Sequence, residues 1–138
     1  MADAYDRRLS IQGSGDAVVL VSGMDGTGQL FYRQVPLLAR SNRVATYALR
    51  DTATTMEQLV ADLARVIDTV APEDRRATLI GESFGGALAL SFALSRPDQV
   101  SELIVLNSFP HFTPQIRLHL ALLGLRRCPG VRWVSSAG

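Results

Sequence analysis

Apolar residues recur along this chain in two rhythms. Residues 17–21 form an unbroken apolar run, rich in valine and bordered by Gly15 and Gly23. Such a run predicts a strand buried on both faces. Residues 43–49, 77–80 and 103–106 give three more strands of similar character. Between them the spacing lengthens. Met56, Leu59, Val60, Leu63, Val66, Ile67 and Val70 follow a helical period, and Pro72 ends it. Thr54 or Thr55 can cap this helix, and Glu57, three residues after Thr54, fits a capping box. Residues 30–40 also read as helical, with Phe31, Val35 and Leu38 on one face. Pro36 lies inside that stretch, so the helix starts late or kinks there. A helix of small residues runs to about Ser95 and stops at Pro97. Residues 5–12 suggest a short edge strand, and the stretch 13–16 is a turn.

The resulting alternation of strand and helix predicts an α/β fold: a parallel sheet with helices on both faces, joined by right-handed crossovers. The 77–82 strand is apolar without alternation and is expected inside the sheet. Residues 114–125 are a further helical candidate, apolar around most of its circumference and so needing cover on more than one side. No repeat, low-complexity tract or linker interrupts the chain before residue 110.

Composition narrows the function classes. With 138 residues and a net charge of +1, the chain has the length of one domain and no basic block. No nucleic-acid partner is expected. All fourteen basic residues are arginine. The absence of lysine excludes a Walker A phosphate loop, a Schiff base and a Ser–Lys dyad within these residues. Cys128 is the single cysteine, and no cluster suggests a metal; no metal or cofactor is expected. The first ten residues lack the pattern of a signal peptide, and no apolar run is long enough to span a bilayer. A cytoplasmic location is the expectation.

Two loops carry candidate chemistry. Gly81, Ser83 and Gly85 form a G-x-S-x-G sequence directly after the third apolar run and at the start of the small-residue helix. A strand that turns sharply into a helix lifts the serine above the sheet in a strained conformation, and glycines two residues to either side leave room where strand and helix nearly collide. Ser83 is therefore the candidate nucleophile. The loop Gly23-Met24-Asp25-Gly26-Thr27-Gly28 follows the first apolar run. Acyl transfer requires two N–H groups aimed at the developing oxyanion. Phe84, after the nucleophile, and Met24, on the earlier loop, are the candidates. A phosphate-cradling role for this loop is the competing reading, disfavoured by the missing lysine and a poor match to G-x-G-x-x-G.

In this order the two loops, with "VVLVSGMDGTG" before "LIGESFGGALALSFALSRPDQVSELIVLN", resemble the α/β-hydrolase superfamily over residues 17–109. The Met24–Gly28 loop and the Glu82–Gly86 elbow are similar to those of esterase, thioesterase and acyltransferase relatives acting on lipid-like acyl esters. The resemblance implies a serine hydrolase of carboxylic esters or thioesters working through an acyl-enzyme on Ser83, with a small-molecule acyl substrate. Acyl transfer to an alcohol is one alternative, and a non-catalytic binding protein on the same scaffold is another. It also implies a core over 1–112 and, over 113–138, the beginning of a cap. A histidine after a late strand and an acid after the strand before it belong to the family pattern, and neither strand is evident. The chain is expected to be an N-terminal portion that needs a continuation for full activity.

The remaining polar residues have plainer readings. His111 follows the fourth strand but comes too early in chain order for the family's histidine, so it reads as a residue at the cap entrance. His119 reads as a surface or cap residue. Asp25 either shapes the oxyanion loop or caps the turn after it. Glu82 is expected to point away from the serine's face as structural support, and Asp98 to be a turn residue.

Overall fold

The computed structural model describes residues 9–108. Within them, β1 (Leu9–Gln12) and β2 (Asp16–Val21) precede a 3₁₀ turn and α1 (Gln34–Leu38). Then come β3 (Asn42–Tyr47), α2 (Met56–Val70), β4 (Ala77–Glu82), α3 (Phe84–Ser95) and β5 (Val100–Leu106). The strands form one sheet in the order β1-β3-β2-β4-β5. β3, β2, β4 and β5 run parallel, and only β1 is antiparallel, against β3. The expected parallel α/β sheet is present, β4 lies inside it, and the N-terminal strand is its edge. Residues 109–138, with His111, the cap expected over 113–138, His119 and Cys128, lie outside the described residues.

Alternation along β2 explains the two layers. Val19 and Val21 face α2 and α3, and join Leu63, Ile67, Leu88 and Phe92 in the larger core. Val18 and Leu20 face the other way and pack on Phe31, Val35 and Val44 beside α1. A strand covered on both sides must be apolar at every position, which is the pattern of residues 17–21.

The helices differ from the sequence expectation at their starts. The 30–40 stretch is a 3₁₀ turn over Gln29–Phe31 followed by α1, which is only five residues long. Gly28, at φ 75°, directs the chain into the first turn, and Pro36 falls in the first turn of α1, where its missing N–H costs nothing. The helix starts late and is not kinked by its proline. At α2, Thr55 is the cap, and its side chain accepts from the Gln58 N–H at 3.4 Å. Gln58 Oε1 in turn accepts from the Thr54 N–H at 2.8 Å. The expected pairing of Thr54 with Glu57 is therefore shifted by one residue, because the third helical position after Thr55 is Gln58. Leu59, Leu63, Val66, Ile67 and Val70 bury the inner face of α2. Burial of each contributes roughly 1.5–3 kcal/mol, against about 1 kcal/mol for a cap. Packing holds the helix in place, and the cap sets where it begins.

β5 begins three residues earlier than its apolar core suggested. Val100 and Glu102 pair with Ala77 and Thr78 of β4, and the exposed Ser101 between them is skipped at a shift in register. An edge strand with one wet face admits such polar positions.

Candidate active site

β2 and β4 are neighbours in the sheet although 55 residues separate their ends in sequence, so the loop after β2 and the turn after β4 emerge side by side. Ser83 occupies that turn at φ 54°, ψ −122°. This is backbone that L-residues avoid and glycine tolerates, and it persists only where the surroundings impose it. Those surroundings are specific. The Ser83 N–H donates to the Leu106 carbonyl at 3.0 Å, and the Ser83 carbonyl accepts from Gly86 at 3.0 Å. A Cβ on Gly81 would lie 2.7 Å from the Gly86 Cα, and one on Gly85 would lie 2.5 Å from the Ser22 carbonyl oxygen. Backbone crowding leaves no room for a side chain at either glycine. Gly86 is a third such position, with Ser108 Cβ 2.6 Å from where its Cβ would be.

The loop after β2 closes on the serine. A Cβ on Gly23 would stand 3.2 Å from Ser83 Cβ and 2.7 Å from Glu82 Oε2. A side chain there would push the loop off Ser83. Gly26, at φ 62°, donates to the Gly23 carbonyl at 3.0 Å, turning the loop back. Met24, on the outside of this loop, is 83% exposed. Asp25 Oδ2 accepts from Thr27 Oγ1 at 2.5 Å and from the Thr27 N–H at 3.3 Å. Of its two sequence readings, the turn-capping one accounts for these contacts. Asp98 lies in the short 3₁₀ turn Pro97–Gln99 that leads into β5.

Two depressions flank these loops. A cleft of about 760 Å³ is lined by Met24, Asp25, Thr27, Leu49, Arg50 and Phe84, among others. Its size suits a small organic ligand. A smaller cavity of about 370 Å³ opens on the α1 side of the sheet, lined by Leu20, Gly23, Phe31, Ile80, Glu82 and Ile104. Glu82 therefore shares a face with Ile80 beneath the elbow.

Sequence reasoning missed Arg50 and Asp62. The Asp62 side chain is 3% exposed and accepts from Arg50 Nε at 2.9 Å and from Arg65 Nη1 at 3.4 Å. The signal was available: Asp62 sits on the buried stripe of α2 among Leu59, Leu63 and Val66. An acid at such a position demands a cation.

The family comparison completes the picture. The model of a family described as serine aminopeptidase, S33, matches residues 45–135. The chain belongs to this family, within the α/β-hydrolases. Its curated relatives include a RutD protein of Azorhizobium caulinodans named for carbamate hydrolysis, 28% identical over 116 residues, which make up 78% of this chain and 42% of that protein. A pimeloyl-[acyl-carrier protein] methyl ester esterase of Aliivibrio fischeri is 30% identical over 75% of this chain and 41% of its own. A hydrolase structure from Pseudomonas aeruginosa superposes with a TM-score of 0.68 at 23% identity, covering 88% of this chain and 49% of that one. The chain thus spans under half the length of these proteins.

Proposed function

We propose that this chain carries the nucleophile of a serine hydrolase acting on small-molecule carboxylic esters or thioesters in the cytoplasm. The observation that carries the reading is the backbone of Ser83, held at positive φ at a strand-to-helix turn with Gly23 packed against it. Structural residues rarely keep such strain without a functional return. The names of the curated relatives, a carbamate hydrolase and a methyl ester esterase, both concern attack at an acyl carbon.

In the proposed reaction, a base takes the Ser83 Oγ proton as Oγ bonds to the acyl carbon. The carbonyl oxygen becomes an oxyanion, which the N–H groups of Met24 and Phe84 stabilise. The C–O or C–S bond then breaks, and the leaving group takes the proton from the base. Water repeats the sequence in reverse and frees Ser83. Residues 9–108 contain no histidine, so we assign the base and its acid partner to sequence after Ser108. A fluorophosphonate probe tests the reading on the intact gene product. Labelling at Ser83 that Ser83→Ala abolishes is the expected outcome. A folded protein that takes no label at Ser83 would return the chain to a binding role.

A further inference from the structure

We propose that Arg50 and Asp62 form a clasp that holds the oxyanion loop in place, making Arg50 a positioning residue for the reaction at Ser83; this rests on the reading just given. Three contacts connect in series. Asp62 is anchored in the core on α2, at 2% exposure. Arg50 bridges to α2 at two points, Nε to Asp62 Oδ2 at 2.9 Å and Nη2 to the Gln58 carbonyl at 3.4 Å. The adjacent residue, Leu49, donates its N–H to the Gly26 carbonyl at 2.7 Å. Gly26 is the residue that turns the Met24 loop back toward Gly23. The chain leaving β3 is thus tied to α2 on one side and to the oxyanion loop on the other, one residue apart.

A buried carboxylate is costly unless its partner stays in place, so the ion pair resists opening. The planar guanidinium fork fixes direction as well as charge. Together these properties transmit the rigidity of α2 to the middle of the loop, Met24 to Thr27, which is more exposed than the buried Gly23 and Gly28 at its ends. Met24 is mostly exposed, and a Cβ on Gly26 would meet only Leu49 Cβ, at 3.6 Å. Without the clasp, this stretch would rely on the Gly26–Gly23 hydrogen bond, the Asp25–Thr27 contacts and the packing of Gly23 and Gly28 at its two ends.

Arg65 supplies the control. It pairs with the same carboxylate from within α2, three residues along, and its side chain is 59% exposed. If Arg50 merely neutralised Asp62, the two arginines would be interchangeable. Amide hydrogen exchange on the full chain separates the cases. Arg50→Ala is expected to speed exchange of the Leu49 and Gly26 N–H groups by about 10- to 100-fold while the β2 and β4 amides of Val19 and Leu79 keep their protection. Arg65→Ala is expected to change them by no more than about threefold, the scale of an exposed ion pair. On the intact gene product, Arg50→Ala should also slow fluorophosphonate labelling of Ser83 by about 10- to 100-fold, as expected for a misplaced donor. Should Arg50→Ala fail to fold, Arg50→Lys keeps the charge but cannot reach both acceptors, and it should loosen the same two amides to a lesser degree. Unchanged exchange at Leu49 and Gly26 in the folded arginine variant, or equal effects of Arg50→Ala and Arg65→Ala, would overturn the clasp. If wild-type Ser83 takes no label, the proposed function falls, and the exchange data still decide the clasp.

Discussion

Ser83 carries a cost that can be measured apart from any chemistry. Its φ of 54° with ψ −122° lies where glycine is at ease and a Cβ is crowded. Strain of this kind amounts to about 1–3 kcal/mol. Replacement by glycine relieves it, whereas replacement by alanine removes the hydroxyl and keeps the Cβ. Ser83→Gly is therefore expected to be more stable than Ser83→Ala by about 1 kcal/mol in urea denaturation, the opposite of the order inside a helix. Equal stabilities would mean that the turn is relaxed. The elbow was legible in the sequence because its steric demands are local: Gly81, Ser83 and Gly85 must fit around one turn. The buried stripe of α2 marked Asp62 as needing a cation, but that Arg50 supplies it was not legible, because the pair joins a loop to a helix face across twelve residues. Only the docking of α2 brings its members together.

Elements were legible where their pattern was strong and ambiguous where two signals overlapped. α2 was evident from seven apolar positions, yet two adjacent threonines left its first residue open. The cap geometry decides between them. Thr55 is expected to cost about 1 kcal/mol of stability when replaced by alanine, since its side chain serves the Gln58 N–H. Thr54→Ala should be nearly neutral, because Thr54 makes its short contact to Gln58 through the backbone N–H, which alanine retains. Denaturation midpoints for the two variants check this directly. The strand β5 was underestimated because an edge strand mixes wet and dry positions, and periodicity then stops short of the true start. α1 was overestimated because the chain from Gln29 to Leu38 buries one face, through Phe31 and Val35, without being one continuous helix.

At the scale of the molecule, the two faces of the sheet are unequally covered among the described residues. α2 and α3 cover one face broadly, while the five-residue α1 covers part of the other. Ile80 and Ile104 border the open cavity on that side, and Leu106 is 37% exposed. Among the described residues no strand pairs with the outer side of β5. An unpaired edge beside exposed apolar side chains favours association. The 138-residue chain on its own is expected to self-associate, seen as a mass that rises with concentration in size-exclusion chromatography with light scattering. Ile104→Glu should shift that mass toward the monomer. A monomer at every concentration would show that the face is protected.

The adjacency of β2 and β4 has a further consequence, for the path by which the chain folds. β2 and β3 are joined by a short crossover, so their pairing closes a loop of modest length. β4 joins the free side of β2 only after α2 has intervened, and that pairing is among the most non-local in the sheet. Non-local contacts carry the larger closure entropy and tend to form later. Gly23 and Ser83 meet only through that late step. An early folding intermediate with β2 and β3 already joined would hold the loop and the serine on separate, inert pieces, and assembly of the site would coincide with completion of the sheet's centre. The rate at which reactivity at Ser83 returns during refolding should then follow the burial of β4, not the earlier gain of helix.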